Sequence, residues 1–444
     1  MAIFYRGVLY LAISSFIGES IEFLVNMILA RELGKHGLGL YMSILPSVFL
    51  IILLSSFELH VSISKLIAEK DNKFHRTILH HAIVIAIVFT SLLLLLATAI
   101  LPFVPVFDSY HPYTRWVVII LIPVMTFTSV ARGYFMGRHQ MGRIAFSTFL
   151  RKTFQLSVLF LLFRFFKLQT EAAVFVSIST LIGSELVVFL YLVYSFFIQY
   201  QQMKRLPFSN LNRTVVRKNL IAVSAPTTGL RLFSAVANAI QPFLIKAALV
   251  RSGLTPTLAT EQFGMLTGVA VTIGLFPAFI AHSMMTVLIP AVSKTFATKD
   301  YAGLQKMLSQ VIKVTFLYGV PAVVVFYFFA QPFSSLFFHS SSAASYIQML
   351  WPFFLFYFFI IPMQAFLIGL GLLKDLFIQT IWSTVISYSI ILLAGSMPEW
   401  GMDGVIIGMN TEAVLLAFMH YVTICKKIGI SIFLKPPVHK PINR

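Results

Sequence analysis

The sequence predicts an all-α polytopic membrane protein with about twelve transmembrane helices, and two observations lead to that prediction. The 444 residues are 58% hydrophobic and only 11% charged, whereas a soluble protein carries about 25% charged residues. Mostly apolar stretches recur along the whole chain, and about 20 such residues cross a hydrocarbon core of about 30 Å. A surface so poor in charge can face lipid but cannot face water.

We expect six spans in each half of the chain. Those of the first half are 8–29, 41–64, 79–101, 116–137, 145–165 and 172–198. Those of the second half are 220–245, 263–289, 311–330, 346–371, 376–396 and 404–425. Although Arg6 precedes the first apolar run, that run is too long for a signal peptide and no small-residue cleavage site follows. We therefore expect this span to be retained.

Lysine and arginine alternate between rich and poor connections, and this alternation predicts the topology. The rich connections hold Arg6, Lys65 to Arg76, Arg138 and Arg143, Lys204 to Lys218, Lys294 to Lys313, Lys374, and Lys426 to Arg444. The poor connections hold Arg31, Lys35, Arg115, Arg164, Lys167, Lys246 and Arg251. The positive-inside rule places the rich connections and both termini in the cytoplasm. The net charge of +18 is therefore a topology signal that anionic lipids reinforce, and we expect no nucleic-acid partner.

The connection 199–219 divides the spans six and six, and we predict that it links two lobes, 1–198 and 220–425, with a basic tail at 426–444. Weak internal repeats support a duplication. Spans two and eight both end in S-K-x-x-A-x-K-D, at 64–71 and 293–300, and Gly133 and Arg138 match Gly369 and Lys374 at the ends of spans four and ten. Six spans per half give both halves the same orientation, so we predict a pseudo-twofold axis along the membrane normal.

Polar residues form one stripe in span one and a matching stripe in span seven. Steps of four, three and four place the members of each stripe on one helix face. The matched pairs, each offset by 212 residues, are Ser15 and Thr227, Glu19 and Arg231, Glu22 and Ser234, and Asn26 and Asn238. Arg231 lies about 18 Å into its span, where a charge costs at least about 2.5–3.5 kcal/mol. Such a group must face protein, water or an opposite charge.

Two interpretations of the stripes remain open. Glu19 or Glu22 could pair with Arg231 and join the lobes, or both stripes could line a central aqueous cleft in which Arg231 meets an anionic group of a substrate. Glu58 and His60 interrupt span two, and His282 lies late in span eight. A lone histidine in a membrane helix is more often a packing residue than a proton carrier, and snorkelling to the surface explains Arg132 as well as function does.

Several segments resemble one transporter superfamily. They are ARELGKHGLGLY at 30–41, ISKLIAE at 63–69, RGYFMG at 132–137, FGMLTG at 263–268 and LIPAVS at 288–293. In their order and spacing they resemble the multidrug/oligosaccharidyl-lipid/polysaccharide (MOP) flippase superfamily, in particular its polysaccharide exporter and stage V sporulation protein B-like branch. The resemblance extends over about residues 5 to 425.

The resemblance implies a MATE-like fold with two six-helix lobes forming a V, alternating access, and a bacterial protein of sporulation or cell-wall assembly. It implies a polyprenyl-pyrophosphate-linked glycan as substrate, which Arg231 would hold with help from Arg151 or Lys152. The stripe in span one differs from that of the family members that flip cell-wall precursors, which often carry cationic residues there. This chain has Glu19, Glu22 and Asn26 there.

Other functions compete with a glycan flippase. The acidic side chains favour a cation-coupled exporter of small molecules on the same fold, with Glu19, Glu22, Glu58, His60 and His282 as the groups that bind protons or ions. An enzyme would need positioned carboxylates or a metal at a membrane face, and the short outward loops carry few acids. We therefore expect no catalytic residues, no cofactor and no metal, and we expect a monomer that contacts membrane lipids. The single Cys425 excludes an internal disulfide.

Overall fold

The computed structural model describes residues 2–103, 105–203, 213–338 and 343–431. Part of the predicted linker (204–212), most of the predicted tail (432–444) and the side chains of Arg6 and Thr227 lie outside the described residues. In the described ranges the chain is helical with short turns and contains no strand. The prediction of an all-α protein is therefore confirmed.

Sixteen α-helices follow one another along the described chain. They are α1 Ala2–Ser56, α2 Leu59–Glu69, α3 Asn72–Ile100, α4 Thr114–Gly137, α5 Met141–Phe165, α6 Thr170–Met203, α7 Arg213–Arg251, α8 Pro256–Gly264, α9 Thr272–Gly274, α10 Ala278–Ala297, α11 Tyr301–Phe328, α12 Ala330–Phe338, α13 Ala344–Met349, α14 Trp351–Gly369, α15 Leu373–Ala394 and α16 Gly401–Ile428. A π-helical segment, Met265–Val271, joins α8 to α9.

Eleven helical segments of the described chain are long and apolar enough to cross a membrane. The first of them, Ser15–Glu69, is 55 residues long, which at 1.5 Å per residue would measure about 80 Å, more than twice the thickness of a hydrocarbon core. This segment therefore covers the first expected span from residue 15 onward and the whole of the second, and the other ten segments overlap the other ten. The prediction of a polytopic protein with about twelve spans is confirmed.

A kink at Gly34 separates the first two spans, where we had expected a loop. Helix α1 runs through the expected loop, because residues 30–35 (ARELGK) include mostly good helix formers. Gly34 has φ 66° and ψ −178°, a conformation that is essentially restricted to glycine. One turn earlier, Arg31 donates from Nε and Nη2 to the carbonyl oxygen of Leu336, at 2.9 and 2.6 Å.

The helices group into two compact units. Unit N comprises residues 32–240, and unit C comprises residues 1–31 together with 241–444. The core of unit N contains buried side chains of α2, α3, α4, α6 and α7, and that of unit C contains buried side chains of α10, α11, α14 and α16. The lobe boundaries at 199–219 and the pseudo-twofold axis stay predictions.

The internal repeat in the sequence is matched by a repeat in helix packing. In unit N, a Cβ atom on Gly133 of α4 would lie 2.8 Å from Cα of His60 and 2.9 Å from Cβ of Ile63. In unit C, a Cβ atom on Gly369 of α14 would lie 3.0 Å from the carbonyl oxygen of Ile289 and 2.8 Å from Cβ of Val292. The two contacted pairs share the offset of the S-K-x-x-A-x-K-D repeats. Gly133 therefore permits close approach of α2 and α4 in unit N, and Gly369 permits close approach of the equivalent helices, α10 and α14, in unit C.

Candidate functional site

The candidate site begins at a break in the second span, between α1 and α2. Phe57 and Glu58 both adopt left-handed backbone conformations, with φ of 43° and 45°. Two consecutive residues with a Cβ atom rarely adopt this conformation, because it costs about 1–3 kcal/mol for each. Strain of this kind persists only where the surroundings stabilise it, and it concentrates at functional sites.

Two hydroxyl groups of α4 stabilise the break by binding backbone groups that the helix no longer pairs. Oγ1 of Thr126 donates to the carbonyl oxygen of Ser55 at 2.7 Å, and the backbone N–H of His60 donates to Oγ of Ser129 at 3.0 Å. Within a bilayer an unpaired backbone group costs several kcal/mol, so a broken span needs such partners. These contacts fix the geometry of the residues between them, and Glu58 is one of these.

An ion pair with α7 lies at this break. Nη1 of Arg231 lies 2.8 Å from Oε1 of Glu58, and Nε2 of His60 lies 3.7 Å from Oε2 of the same carboxylate. The Glu58 side chain is only 4% exposed, whereas that of Arg231 is 64% exposed. The buried carboxylate therefore holds one end of a guanidinium group whose remaining surface is accessible.

These residues line a pocket of about 420 Å³ inside unit N. Its polar lining also includes Arg132 of α4, and its apolar lining comes from Phe49, Ile52, Leu53 and Met125. The lining contains two guanidinium groups and one carboxylate, so with a neutral His60 it carries one net positive charge. Arginine binds phosphate and carboxylate groups through parallel N–H···O hydrogen bonds, and such a lining suits an anion.

A second ion pair of unit N connects α5 to α6. Nη1 of Arg151 lies 3.5 Å from Oε1 of Glu185, and both groups interact electrostatically with Arg132. The neighbouring Lys152 is half-buried. Arg132 therefore belongs both to the lining of the pocket and to this second group of charges.

Unit C contains a separate polar group on the first span. Oγ of Ser283 donates to Oγ of Ser15 at 3.2 Å, and Glu19 interacts electrostatically with His282 and Tyr357. Aromatic rings lie beside Ser15, since the next residue, Phe16, packs edge to face against Phe276 and Phe279. The next two stripe residues, Glu22 and Asn26, are half-buried.

The structure brings together some of the predicted site residues and leaves others apart. Glu58, His60 and Arg231 meet in unit N, and Glu19 interacts electrostatically with His282 in unit C. Ser234, which is half-buried, and Asn238, which is exposed, follow Arg231 along α7. Because Glu19 and Arg231 belong to different units, their sharing of one cleft stays a prediction.

Three residues at this site, all in α4, were not among the site residues predicted from the sequence. Thr126 and Ser129 carry no charge and were not singled out, and Arg132 was explained as well by snorkelling. Steps of three residues place each of them about 60° from the next around the helix, so all three fall within an arc of about 120°. That regularity is the signal which could have identified them. Among the described residues, no group of three or more His, Cys, Asp or Glu side chains could hold a metal ion.

Comparison with known structures identifies the fold first. The chain superposes with a TM-score of 0.73 on the inward-facing conformation of a multidrug resistance MATE family transporter of the MOP superfamily, at 18% identity, covering 92% of this chain and 94% of the other. The fold is therefore that of the MATE transporters. Residues 4–296 match the family model described as polysaccharide biosynthesis protein, and residues 265–391 match that described as MatE. The chain belongs to the polysaccharide biosynthesis protein family of the MOP flippase superfamily.

Two relatives from Bacillus subtilis (strain 168) extend over nearly the whole chain. The sporulation protein YkvU is 49% identical over 438 residues, which are 99% of this chain and 98% of the relative. Stage V sporulation protein B is 29% identical over 444 aligned positions, which cover 97% of this chain and 85% of the relative. The resemblance found in the sequence segments is thereby confirmed.

Proposed function

We propose that this protein is a flippase that moves an anionic lipid-linked glycan, of the polyprenyl-pyrophosphate type, across the cell membrane by alternating access. The family description supports a glycan, and the two relatives support a role in sporulation. The observation that carries the proposal is the pocket of unit N, in which a buried carboxylate holds Arg231 inside a membrane-spanning protein.

Arg231 is the residue that binds the pyrophosphate in this proposal. A guanidinium group has five N–H donors, and Glu58 accepts from only one of the nitrogens. The remaining donors can therefore bind two phosphate oxygens at once. Arg132 lines the same pocket and supplies a second positive charge. The volume of about 420 Å³ falls in the range of about 300–1,000 Å³ that is typical of small-molecule sites.

Glu58 has two roles in the proposed cycle. It orients the guanidinium group before the substrate arrives, so that less side-chain freedom is lost on binding. It also repels a pyrophosphate bound beside it, and this repulsion keeps the affinity moderate enough for release on the other side. No bond of the substrate is made or broken, so the proposed protein is a transporter and not an enzyme.

The basic connections support an orientation with both termini in the cytoplasm. In that orientation the S-K-x-x-A-x-K-D ends of spans two and eight lie on the cytoplasmic side. A protease-accessibility experiment on inverted and right-side-out vesicles tests this orientation independently of transport.

A flipping assay in proteoliposomes tests the function. The probe is a fluorescent polyprenyl-pyrophosphate-linked sugar, and its accessibility to a reductant outside the vesicle reports its leaflet. We expect Arg231→Ala to slow flipping about tenfold or more, because a charge-assisted hydrogen bond contributes about 1.5–3 kcal/mol. Arg231→Lys keeps the charge but loses the paired donors, so an intermediate rate is expected.

The matched control is Arg217→Ala, which removes another exposed arginine from the same helix. We expect this variant to flip the probe at the wild-type rate. Equal rates in wild type, Arg231→Ala and Arg217→Ala would refute the role of Arg231. A wild-type protein that flips no lipid-linked pyrophosphate would refute the proposed substrate class.

A cation-coupled exporter of small molecules is the second candidate function. The interactions of Glu19 with His282 and of Glu58 with His60 favour it, because a carboxylate beside an imidazole is able to exchange protons. Uptake of an organic cation into proteoliposomes under a pH gradient distinguishes the two functions. An exporter would transport the cation and lose that activity in Glu19→Gln, whereas a glycan flippase would transport none.

A further inference from the structure

A groove on the surface of unit C lies outside the site described above. Side chains of α11, α14 and α16 line it, and its volume is about 420 Å³. The lining is apolar and aromatic and includes Ile312, Phe316, Phe359, Val414, Phe418 and Tyr421. Phe316 and Phe418 are 52% and 59% exposed, so these rings border an open groove and do not fill a core.

Part of the groove wall is packed into the core of unit C. The rings of Phe316 and Phe359 pack edge to face with centroids 5.1 Å apart, and Phe359 and Met363 belong to the buried core of unit C. Because the core already positions these two side chains, an occupant loses little binding free energy to their reorganisation.

Beside the groove, the same helix carries a polar depression of about 350 Å³ that includes Lys306 and Lys313. These lysines are seven residues apart, so they lie on nearly the same face of α11, about 10.5 Å apart along the helix axis. Phe316 follows Lys313 by three residues and lies one turn further along. The polar depression and the apolar groove are therefore consecutive along one helix.

Neither lysine is neutralised by the protein. Both side chains are exposed, and in the part of the chain that the structure describes neither ammonium group forms a salt bridge with a carboxylate. Lys426 and Lys427 are also exposed, at the end of α16, and Nζ of Lys427 lies 5.6 Å from the ring centroid of Phe296, in the last turn of α10. Four exposed lysines therefore lie on α11 and α16, two of the helices that line the groove.

We propose that this groove and the lysines beside it form a binding site for one anionic phospholipid of the bilayer. The phosphate group binds Lys313 and Lys306, and one acyl chain lies in the groove between Phe316 and Phe418. A basic surface beside an apolar face of a membrane helix matches the two chemically different ends of such a lipid. The site is independent of the proposed transport function, whose pocket lies in unit N.

Native mass spectrometry of the purified full-length protein tests the site. The probes are phosphatidylglycerol and phosphatidylcholine with identical acyl chains, and inorganic phosphate. We expect the wild type to retain one phosphatidylglycerol, and to bind phosphatidylcholine and phosphate at least about tenfold more weakly, since each lysine near a charged headgroup contributes to affinity. Equal retention of both lipids, or equal binding of phosphate, would overturn the proposal.

Two variants test the charged part and the apolar part of the site separately. Lys306→Gln/Lys313→Gln removes the charges, and Val414→Trp fills the groove from a position that is 37% exposed; each should weaken retention of phosphatidylglycerol about tenfold or more. The matched control is Lys65→Gln/Lys70→Gln, which removes two exposed lysines from unit N with the same change in net charge, and it should bind as the wild type does. Wild-type retention in both site variants would also overturn the proposal.

Discussion

The Nη1 atom of Arg231 donates a hydrogen bond of 2.8 Å to Oε1 of Glu58 across 173 positions of the chain, and the two partners differ greatly in exposure. Most of the Arg231 side-chain surface is exposed, whereas almost none of the Glu58 side chain is. Removing one partner of a buried charge pair leaves the other without compensation. The pair is therefore asymmetric, because Glu58 depends on Arg231 more than Arg231 depends on Glu58.

This asymmetry predicts which substitution destabilises the protein more. In Arg231→Ala the buried Glu58 carboxylate loses its charged donor, and we expect the free energy of unfolding to fall by about 1–3 kcal/mol. In Glu58→Gln an amide oxygen can still accept the hydrogen bond of the exposed guanidinium group, so the loss should be smaller. Thermal unfolding in detergent measures both, with Arg217→Ala as the control. A larger loss in Glu58→Gln would contradict this account of the pair.

The hydroxyl group of Ser129 should stabilise the broken second span. Ser129→Ala leaves the backbone N–H of His60 without its acceptor at 3.0 Å, so we expect a loss of about 1–3 kcal/mol in the free energy of unfolding. Ser177→Ala is the matched control, because Ser177 is also buried but donates to a carbonyl of its own helix, that of Ala173. The unfolding midpoints of both variants are compared with that of the wild type. Equal losses would mean that the contact to His60 adds nothing.

Hydropathy was enough to place the spans, because lipid-facing segments must be apolar and long wherever they occur in the chain. It could not place the break at Phe57 and Glu58, since neither glycine nor proline marks it. The groups that satisfy the broken backbone come from Thr126 and Ser129, about 70 residues later. Tertiary packing determines this break, and local sequence does not encode it. For the opposite reason an expected loop at 30–40 became a kinked helix, because local helix propensity extends across it.

The sequence singled out Glu58 and Arg231 separately but did not pair them. Glu58 was noted because it interrupts span two, and Arg231 because a charge deep in a span needs a partner. One of the two open interpretations paired Arg231 with Glu19 or Glu22, and neither paired it with Glu58. Depth along a span follows from residue number, whereas the direction a side chain faces depends on the rotation of its helix. The rotation of α7 in unit N brings Arg231 to Glu58. One sequence without an alignment does not contain that information.

The repeated glycine contacts predict equal behaviour of two distant positions. Gly133→Ala and Gly369→Ala should each lower the free energy of unfolding by about 1–3 kcal/mol, because the added methyl group overpacks a close helix contact. In Gly142→Ala no atom lies within 4 Å of the new Cβ. Alanine also favours a helix over glycine by about 0.5–1 kcal/mol, so this control should be unchanged or slightly stabilised.

Thermal unfolding of the three alanine variants checks this prediction. If only Gly133→Ala lowered the free energy of unfolding, the two glycine contacts would not contribute equally to stability. A loss of the same size in Gly142→Ala would show that the effect arises from glycine replacement in general and not from the close contacts.

Stability at alkaline pH should depend on Tyr110, which lies in the connection between the third and fourth spans. Its hydroxyl group donates to the carbonyl oxygen of Leu40 at 2.8 Å, and burial raises the pKa of this phenol above its usual value of about 10. The folded protein therefore keeps the proton at a pH where the unfolded chain releases it. The contribution of Tyr110 is complete below about pH 10 and falls by up to about 1.4 kcal/mol per pH unit above it.

Unfolding midpoints measured between pH 8 and pH 11 test the role of Tyr110. Tyr110→Phe loses the hydrogen bond, which costs about 0.5–1.5 kcal/mol, but it has no phenol to ionise in the unfolded chain, so its midpoint should decline less steeply above pH 10. Tyr113→Phe is the matched control, because the side chain of Tyr113 is 65% exposed, and it should follow the wild-type curve. If Tyr110→Phe and Tyr113→Phe decline in parallel with the wild type, burial of the Tyr110 phenol does not control the alkaline loss of stability.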